Sequence, residues 1–147
     1  MKCLDTSVLI YAADTSSAHH QRAVECLEQS VNGRWASCIC EQSLHEFAAV
    51  MTSERFARHP LSATQVEKMV ERLTRFPQPV VLYSDDAILR RALKLMERNP
   101  ARTKFPAAHL AAVMLAHGVK VLVTADRNAF SAIREIEIEN PFETLFA

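Results

Sequence analysis

Short apolar runs alternate with stretches of helical spacing along the whole chain. The first run, 2–4, stops at Asp5-Thr6-Ser7, the pattern of a strand passing into a capped helix. Residues 7–13 then suit a short helix. Over 18–31, Ala23, Val24, Leu27 and Val31 recur at close to helical spacing until Asn32-Gly33 ends the segment. Residues 35–40 are predicted as the second strand. A helix over 41–51 follows, with Leu44, Phe47, Ala48 and Met51 on one face. Ser62 is placed to cap a helix over 63–76, whose stripe is Val66, Met69, Val70 and Leu73, and Pro77 and Pro79 end it. Residues 80–82 form the third predicted strand, and Ser84 caps a helix running to about 96. A polar loop over 99–104 precedes Pro106, which suits the first position of a helix closed by His117-Gly118. Residues 121–123 are the fourth strand, 130–134 a short helix, and 136–138 a fifth strand candidate.

Strands alternating with helices imply a parallel sheet with helices on both faces. The expected fold is α/β, one domain over 1–147 with four to five strands. Apolar residues at 49% and charged residues at 23% fit an ordinary globular protein. Gly33 and Gly118 are the only glycines, which excludes a glycine-rich phosphate loop of the P-loop kind. The 17 basic and 17 acidic residues cancel, so any grip on nucleic acid must come from local patches. Such patches are offered by Arg55 and Arg58, and by Arg90, Arg91, Lys94, Arg98, Arg102 and Lys104, where the helical members' simpler role is a solvated face. No apolar run is of membrane length and no charged-then-apolar leader stands at the start, so a cytoplasmic location is expected. Cys3, Cys26, Cys38 and Cys40 lack the paired spacing of a zinc site and are expected as buried free thiols.

Three acids stand where strands hand over to helices. Asp5 ends the first strand, Asp126 lies just past the fourth, and Glu46 is about a turn and a half into the helix after the second. In an open parallel sheet all three would approach the crevice at the carboxyl edge. Singly, each has a plain alternative: Asp5 as a cap, Asp126 as a turn residue. Glu46 is the most telling, because Leu44, Phe47, Ala48 and Ala49 around it are apolar. Unpaired carboxylates held together repel one another unless a cation neutralises them. Oxygen ligands from Asp and Glu, with Thr124 and Asn128 nearby, favour Mg²⁺ or Mn²⁺ over zinc. Thr6 and Ser7 serve as caps or lend hydroxyls at the edge of the site. A fourth acid would complete the set at position 107, which is alanine. The histidines are assigned to surfaces and caps: His19 and His20 at a helix start, His45 about 100° around the helix from Glu46, His109, and His117 at a helix end.

The stretches LDTSVLIYA, LHEF, AHLAAVMLAHG and LVTADRNAF resemble the PIN-domain family, and within it the VapC-type ribonuclease toxins of toxin–antitoxin pairs. The resemblance spans essentially the whole chain. It implies a Mg²⁺-dependent endoribonuclease acting on RNA, a homodimer, and restraint by a cognate VapB-like antitoxin. By position, Asp5, Glu46 and Asp126 match the family's acidic metal-binding residues, and Thr124 its hydroxyl before the last acid. Asn128 stands where many members carry a further acid. Ala107 is the departure, since the family's usual acid is absent there while its neighbours are intact; weak metal binding and little cleavage are the expected results. The alternative is a non-catalytic PIN-like module that binds RNA or protein. The apolar tail residues Phe142, Leu145 and Phe146 are placed to dock on the domain or on another subunit, docking on the domain being the simpler role.

Overall fold

The computed structural model describes residues 1–143. Five strands, β1 (Lys2–Leu4), β2 (Ser37–Cys40), β3 (Val80–Leu82), β4 (Val121–Val123) and β5 (Glu137–Glu139), form one sheet in the order β3-β2-β1-β4-β5. Every pairing is parallel. Seven helices connect them: α1 (Thr6–Ala13), α2 (His20–Val31), α3 (Glu41–Met51), α4 (Ala63–Thr74), α5 (Asp86–Arg98), α6 (Phe105–Ala116) and α7 (Arg127–Phe130). The sheet has the upper number of strands expected from the sequence.

Side chains of successive strand residues point to opposite faces, and this alternation splits the core in two. Cys3, Cys38, Cys40, Leu82 and Leu122 face one layer, packed with α5 and α6 through Ile88, Ala92, Leu95, Leu110 and Met114. Leu4, Ile39 and Val123 face the other, packed with α1 to α4 through Val8, Ala23, Phe47 and Val66. Helices therefore cover both faces. A helix apolar on all sides has to be buried, and α6 is: Ala107, Ala108, Leu110, Ala111, Ala112, Val113 and Met114 all lie inside. By contrast α5 buries only Ile88, Ala92 and Leu95 and leaves Arg90, Arg91, Lys94 and Arg98 exposed. The solvated-face reading of that basic cluster fits, with Arg90 paired to Asp86 and Arg98 to Glu135.

Several boundaries differ from expectation for identifiable reasons. The second strand starts at Ser37 instead of 35, where pairing with Lys2 begins. Asp85, not Ser84, caps α5, its carboxylate accepting from the Ile88 N–H at 2.8 Å. The short helix lies at Arg127–Phe130 rather than 130–134, because the Asp126 carboxylate accepts from the Ala129 N–H and starts it early. Ser62 does cap α4, in a reciprocal arrangement with Gln65. The four cysteines are free and buried, as expected. The adjacent Cys3 thiol and burial together hold Cys38 well above the ordinary thiol range, which disfavours its thiolate. Among the described residues, no helix is long and apolar enough to cross a membrane.

Candidate active site at the carboxyl edge of the sheet

From β1 the chain builds outward to β2 and β3, then returns to add β4 and β5 on the other side. The strand order thus reverses between β1 and β4, and a crevice opens beyond the carboxyl ends of the strands at such a point. Leu4 pairs with Val123, so Asp5 and Thr124 emerge side by side. The Asp5 N–H donates to the Val123 carbonyl at 3.0 Å.

Asp5 occupies the N-cap position of α1, yet its carboxylate makes no capping bond. Instead, Oδ2 accepts from the Thr124 hydroxyl at 2.6 Å and from the Ser7 hydroxyl at 3.1 Å. Each of these hydroxyls accepts in turn from the loop after β4. The Asp126 N–H donates to Thr124 at 3.0 Å, and the Ala125 N–H to Ser7 at 3.0 Å. Backbone N–H groups only donate and an ionised carboxylate only accepts, so the direction of every bond is fixed. Across the crevice, Glu46 Oε2 accepts from the Thr6 hydroxyl at 2.8 Å, and Oε1 from the Gln42 amide at 2.8 Å.

Asp5 is only 9% exposed. Burial pushes its carboxyl above the ordinary carboxylate value. The Thr124 hydroxyl, the Thr6 N–H and the Ser7 hydroxyl pull it back, while the charge on Glu46 pushes it up again. Among the described residues, no Lys, Arg or His forms an ion pair with Asp5, Glu46 or Asp126. Two neighbouring carboxylates therefore stand without a balancing cation among the described residues.

The remaining expected site residues are placed differently. Asp126 reaches the same edge through its backbone, but its side chain is exposed and engaged in capping α7. Asn128 is exposed one position further into α7 than Arg127. Ala107 sits in the first turn of α6, 6% exposed and packed into the core layer. Among the described residues, no three His, Cys, Asp or Glu side chains are gathered closely enough to hold a metal ion. The donors that do meet are oxygens without a compensating charge, so they suit a hard divalent cation in kind and fall short in number. The full three-acid convergence expected from the sequence is thus seen as an Asp5–Glu46 pair with Asp126 attached through Thr124.

Thr6, expected at most as an edge hydroxyl, proves to be a direct partner of Glu46. Three further residues were not anticipated. Gln42 was unassigned, Ser84 was expected to cap and His109 to lie at the surface. His109 is half-buried, with its ring stacked on Phe105 at 5.5 Å. Its Nδ1 lies 2.5 Å from Gln42 Oε1 and its Nε2 2.8 Å from the Ser84 hydroxyl. With Glu46, Leu82 and Val113, these three line a cavity of about 240 Å³. A signal for Gln42 existed, since it precedes Glu46 by four residues and so shares its helix face. No local pattern reports a contact between positions 42 and 109. His45, exposed beside Glu41, stands at the rim of the same cavity, and His117 bonds the Val113 carbonyl at the end of α6. His19 departs from its expected solvated edge by packing with Tyr11 and Phe142. Phe142 thereby docks on the domain as expected, whereas Leu145 and Phe146 lie outside the described residues.

An all-parallel sheet that reverses at β1/β4, with Asp5 and Glu46 at the reversal, defines a class of α/β protein whose polar site lies at the carboxyl edge of the sheet. Residues 2–136 match the family model for the PIN domain, and the chain belongs to the PIN domain family. No curated protein matches it at the level of sequence search. Solved structures match over nearly the full length at low identity. FitAcB from Neisseria gonorrhoeae is 17% identical, with a TM-score of 0.65, covering 98% of this chain and 100% of that one. DNA-bound VapBC from Salmonella typhimurium is 19% identical, with a TM-score of 0.67, covering 95% and 97%. VapC20 from Mycobacterium tuberculosis, described as a Sarcin-Ricin loop cleaving toxin, is 17% identical, with a TM-score of 0.66, covering 91% and 95%.

Proposed function

We propose that this chain is a VapC-type endoribonuclease toxin that depends on Mg²⁺, with Mn²⁺ as a substitute, and whose activity is impaired by Ala107. The observation that carries this reading is the Asp5–Glu46 pair, two carboxylates held by directed hydrogen bonds at the strand reversal with no ion-paired cation among the described residues. Structures are costly to hold in this state unless a bound cation offsets the repulsion. Asp5, Glu46 and Asp126 would hold the ion, with Asn128 at the rim and position 107 as the missing fourth ligand. When bound, the cation supplies an activated water and charge stabilisation on the phosphodiester. Thr124 and Ser7 fix the direction of Asp5, and Thr6 fixes that of Glu46. An acid at position 107 would enter the first turn of α6, where the helix dipole favours negative charge.

The solved neighbours include toxin–antitoxin complexes, among them one from Klebsiella pneumoniae. By that likeness we assign this chain a VapB-like antitoxin partner, and from the family resemblance a homodimeric state and a cytoplasmic location. A second reading, a non-catalytic RNA- or protein-binding module, is favoured by the packed Ala107 and by Asp126 being engaged as a cap. The two separate in one experiment: cleavage of total RNA by this chain and by Ala107→Asp, with Mg²⁺ and with EDTA. Chelator-sensitive cleavage that appears or grows in the variant supports the nuclease. No cleavage by either, with RNA retained regardless of Mg²⁺, supports the module.

A further inference from the structure

Glu46 is held from two sides, and only one of them belongs to the strand reversal. The other runs through Gln42. Its Nε2 donates both to Glu46 Oε1 at 2.8 Å and to the Pro106 carbonyl at 2.9 Å. Both of those partners are pure acceptors, so the amide cannot be reversed without setting its oxygen against two other oxygens. Its Oε1 is consequently the atom presented to His109, and His109 Nδ1 must carry the proton in that contact. Ser84 closes the far side of the ring at Nε2. The imidazole is further held against Phe105, their planes 15° apart.

We infer that Gln42 and His109 are positioning residues for the metal site, tying the Glu46 carboxylate to the first turn of α6, next to position 107. The inference rests on the nuclease reading above. Gln42 lies on α3, Pro106 and His109 on α6, and Ser84 just before α5, so the pair joins three elements where Glu46 approaches the first turn of α6. A carboxylate left to Thr6 alone keeps one oriented oxygen and can swing the other. Ligands whose outer partners are lost typically bind metal about 10–100-fold more weakly. Nothing in this pair touches the reacting atoms; its effect passes through Glu46.

The test uses the full chain carrying Ala107→Asp and counts bound Mn²⁺ by the loss of the free-ion electron paramagnetic signal. Gln42→Leu in that background is expected to weaken Mn²⁺ binding by about tenfold or more. His109→Asn keeps a donor near the place of Nδ1 and is expected to bind as the parent does. His109→Gln puts its amide nearer Nε2 and is expected to behave like Gln42→Leu. A nitrogen NMR spectrum of His109 gives a metal-free readout: Nδ1 protonated in the parent, with that proton losing its protection from exchange in Gln42→Leu. Unchanged Mn²⁺ binding in a folded Gln42→Leu chain overturns the inference and leaves the nuclease reading standing. No Mn²⁺ binding by the Ala107→Asp parent overturns both. Nδ1 found unprotonated in the parent overturns the hydrogen-bond assignment on which the positioning role depends.

Discussion

Asp5 and Asp126 follow neighbouring strands, each one or a few residues before a helix, and read almost alike in the sequence. In the fold they behave in opposite ways. Asp5 is buried and leaves its helix uncapped, its carboxylate occupied by two hydroxyls that come from elsewhere in the site. Asp126 is exposed and caps α7. The difference arises from distance beyond the strand. Asp5 comes directly after Leu4, still within the parallel register, so its side chain starts inside the crevice. Asp126 comes after Thr124 and Ala125, and it is Thr124, fully buried, that occupies the equivalent of Asp5's place on the next strand. A strand–Asp–helix pattern thus specifies a carboxylate at the edge of the sheet, but the residue count after the strand decides whether that carboxylate is free for ligand chemistry or engaged in a cap.

The largest expected effect would bring the two aspartates into one function. Ala107→Asp adds a further carboxylate in the first turn of α6, the element that Gln42 ties to Glu46. Mg²⁺-dependent RNA cleavage should rise by at least about 10–100-fold, the range seen even when outer partners of a metal are altered. The assay is initial-rate cleavage of a labelled RNA pool. Should cleavage stay flat while Mg²⁺ binding rises, the acids would serve structure or binding instead of catalysis.

Next comes the residue that joins the pair. Thr124→Val removes the hydroxyl between the Asp5 carboxylate and the Asp126 N–H while conserving shape. It should cost about 1.5–3 kcal/mol, as expected for a buried hydrogen bond to a charged group, measured by urea denaturation. A cost near zero would mean that the bridge transmits nothing between β1 and β4. Smaller still, Asp126→Ala should cost about 1 kcal/mol through loss of the α7 cap. The same substitution should weaken Mn²⁺ binding in the Ala107→Asp background if the side chain leaves its cap to bind the ion. A stability loss with unchanged Mn²⁺ binding would assign Asp126 to the cap alone.

How much of this was legible in the sequence depends on the range of the interactions involved. Strands β1, β3 and β4, the parallel sheet and the two covered faces followed from apolar runs and helical spacing, which are local. Asp5, Glu46 and Thr124 were singled out because each lies at a fixed offset from a strand end or within an otherwise apolar helix. The start of α7 was missed by three residues, because the Asp126 cap competes with the apolar pattern that suggested 130–134. Gln42, Ser84 and His109 were missed because their roles exist only once α3, α5 and α6 converge. Hydrogen bonds between positions 67 and 25 apart leave no periodic trace in the chain.

The smallest prediction concerns a sign and follows from burial. The folded state raises the Asp5 carboxyl above its unfolded value, so between those two values the folded chain binds more protons than the unfolded one. Stability contributed by Asp5 is therefore greatest at low pH and is lost as pH rises through the folded value. Asp5→Asn retains an oxygen to accept from Thr124 and Ser7 but removes the charge. At pH 7 without divalent cations, the variant should melt above the parent, and the two melting curves should draw together as pH falls below about 4, the ordinary aspartate range. Saturating Mg²⁺ should narrow the pH 7 gap by stabilising the parent more than the variant. Thermal melts at pH 7 and pH 3.5, each with and without Mg²⁺, read all four states. An Asp5→Asn chain that melts below its parent at pH 7 without metal would mean that the two hydroxyls and the Thr6 N–H outweigh burial. Asp5 would then resemble Asp126, a carboxylate whose hydrogen bonds stabilise the fold in its ionised form.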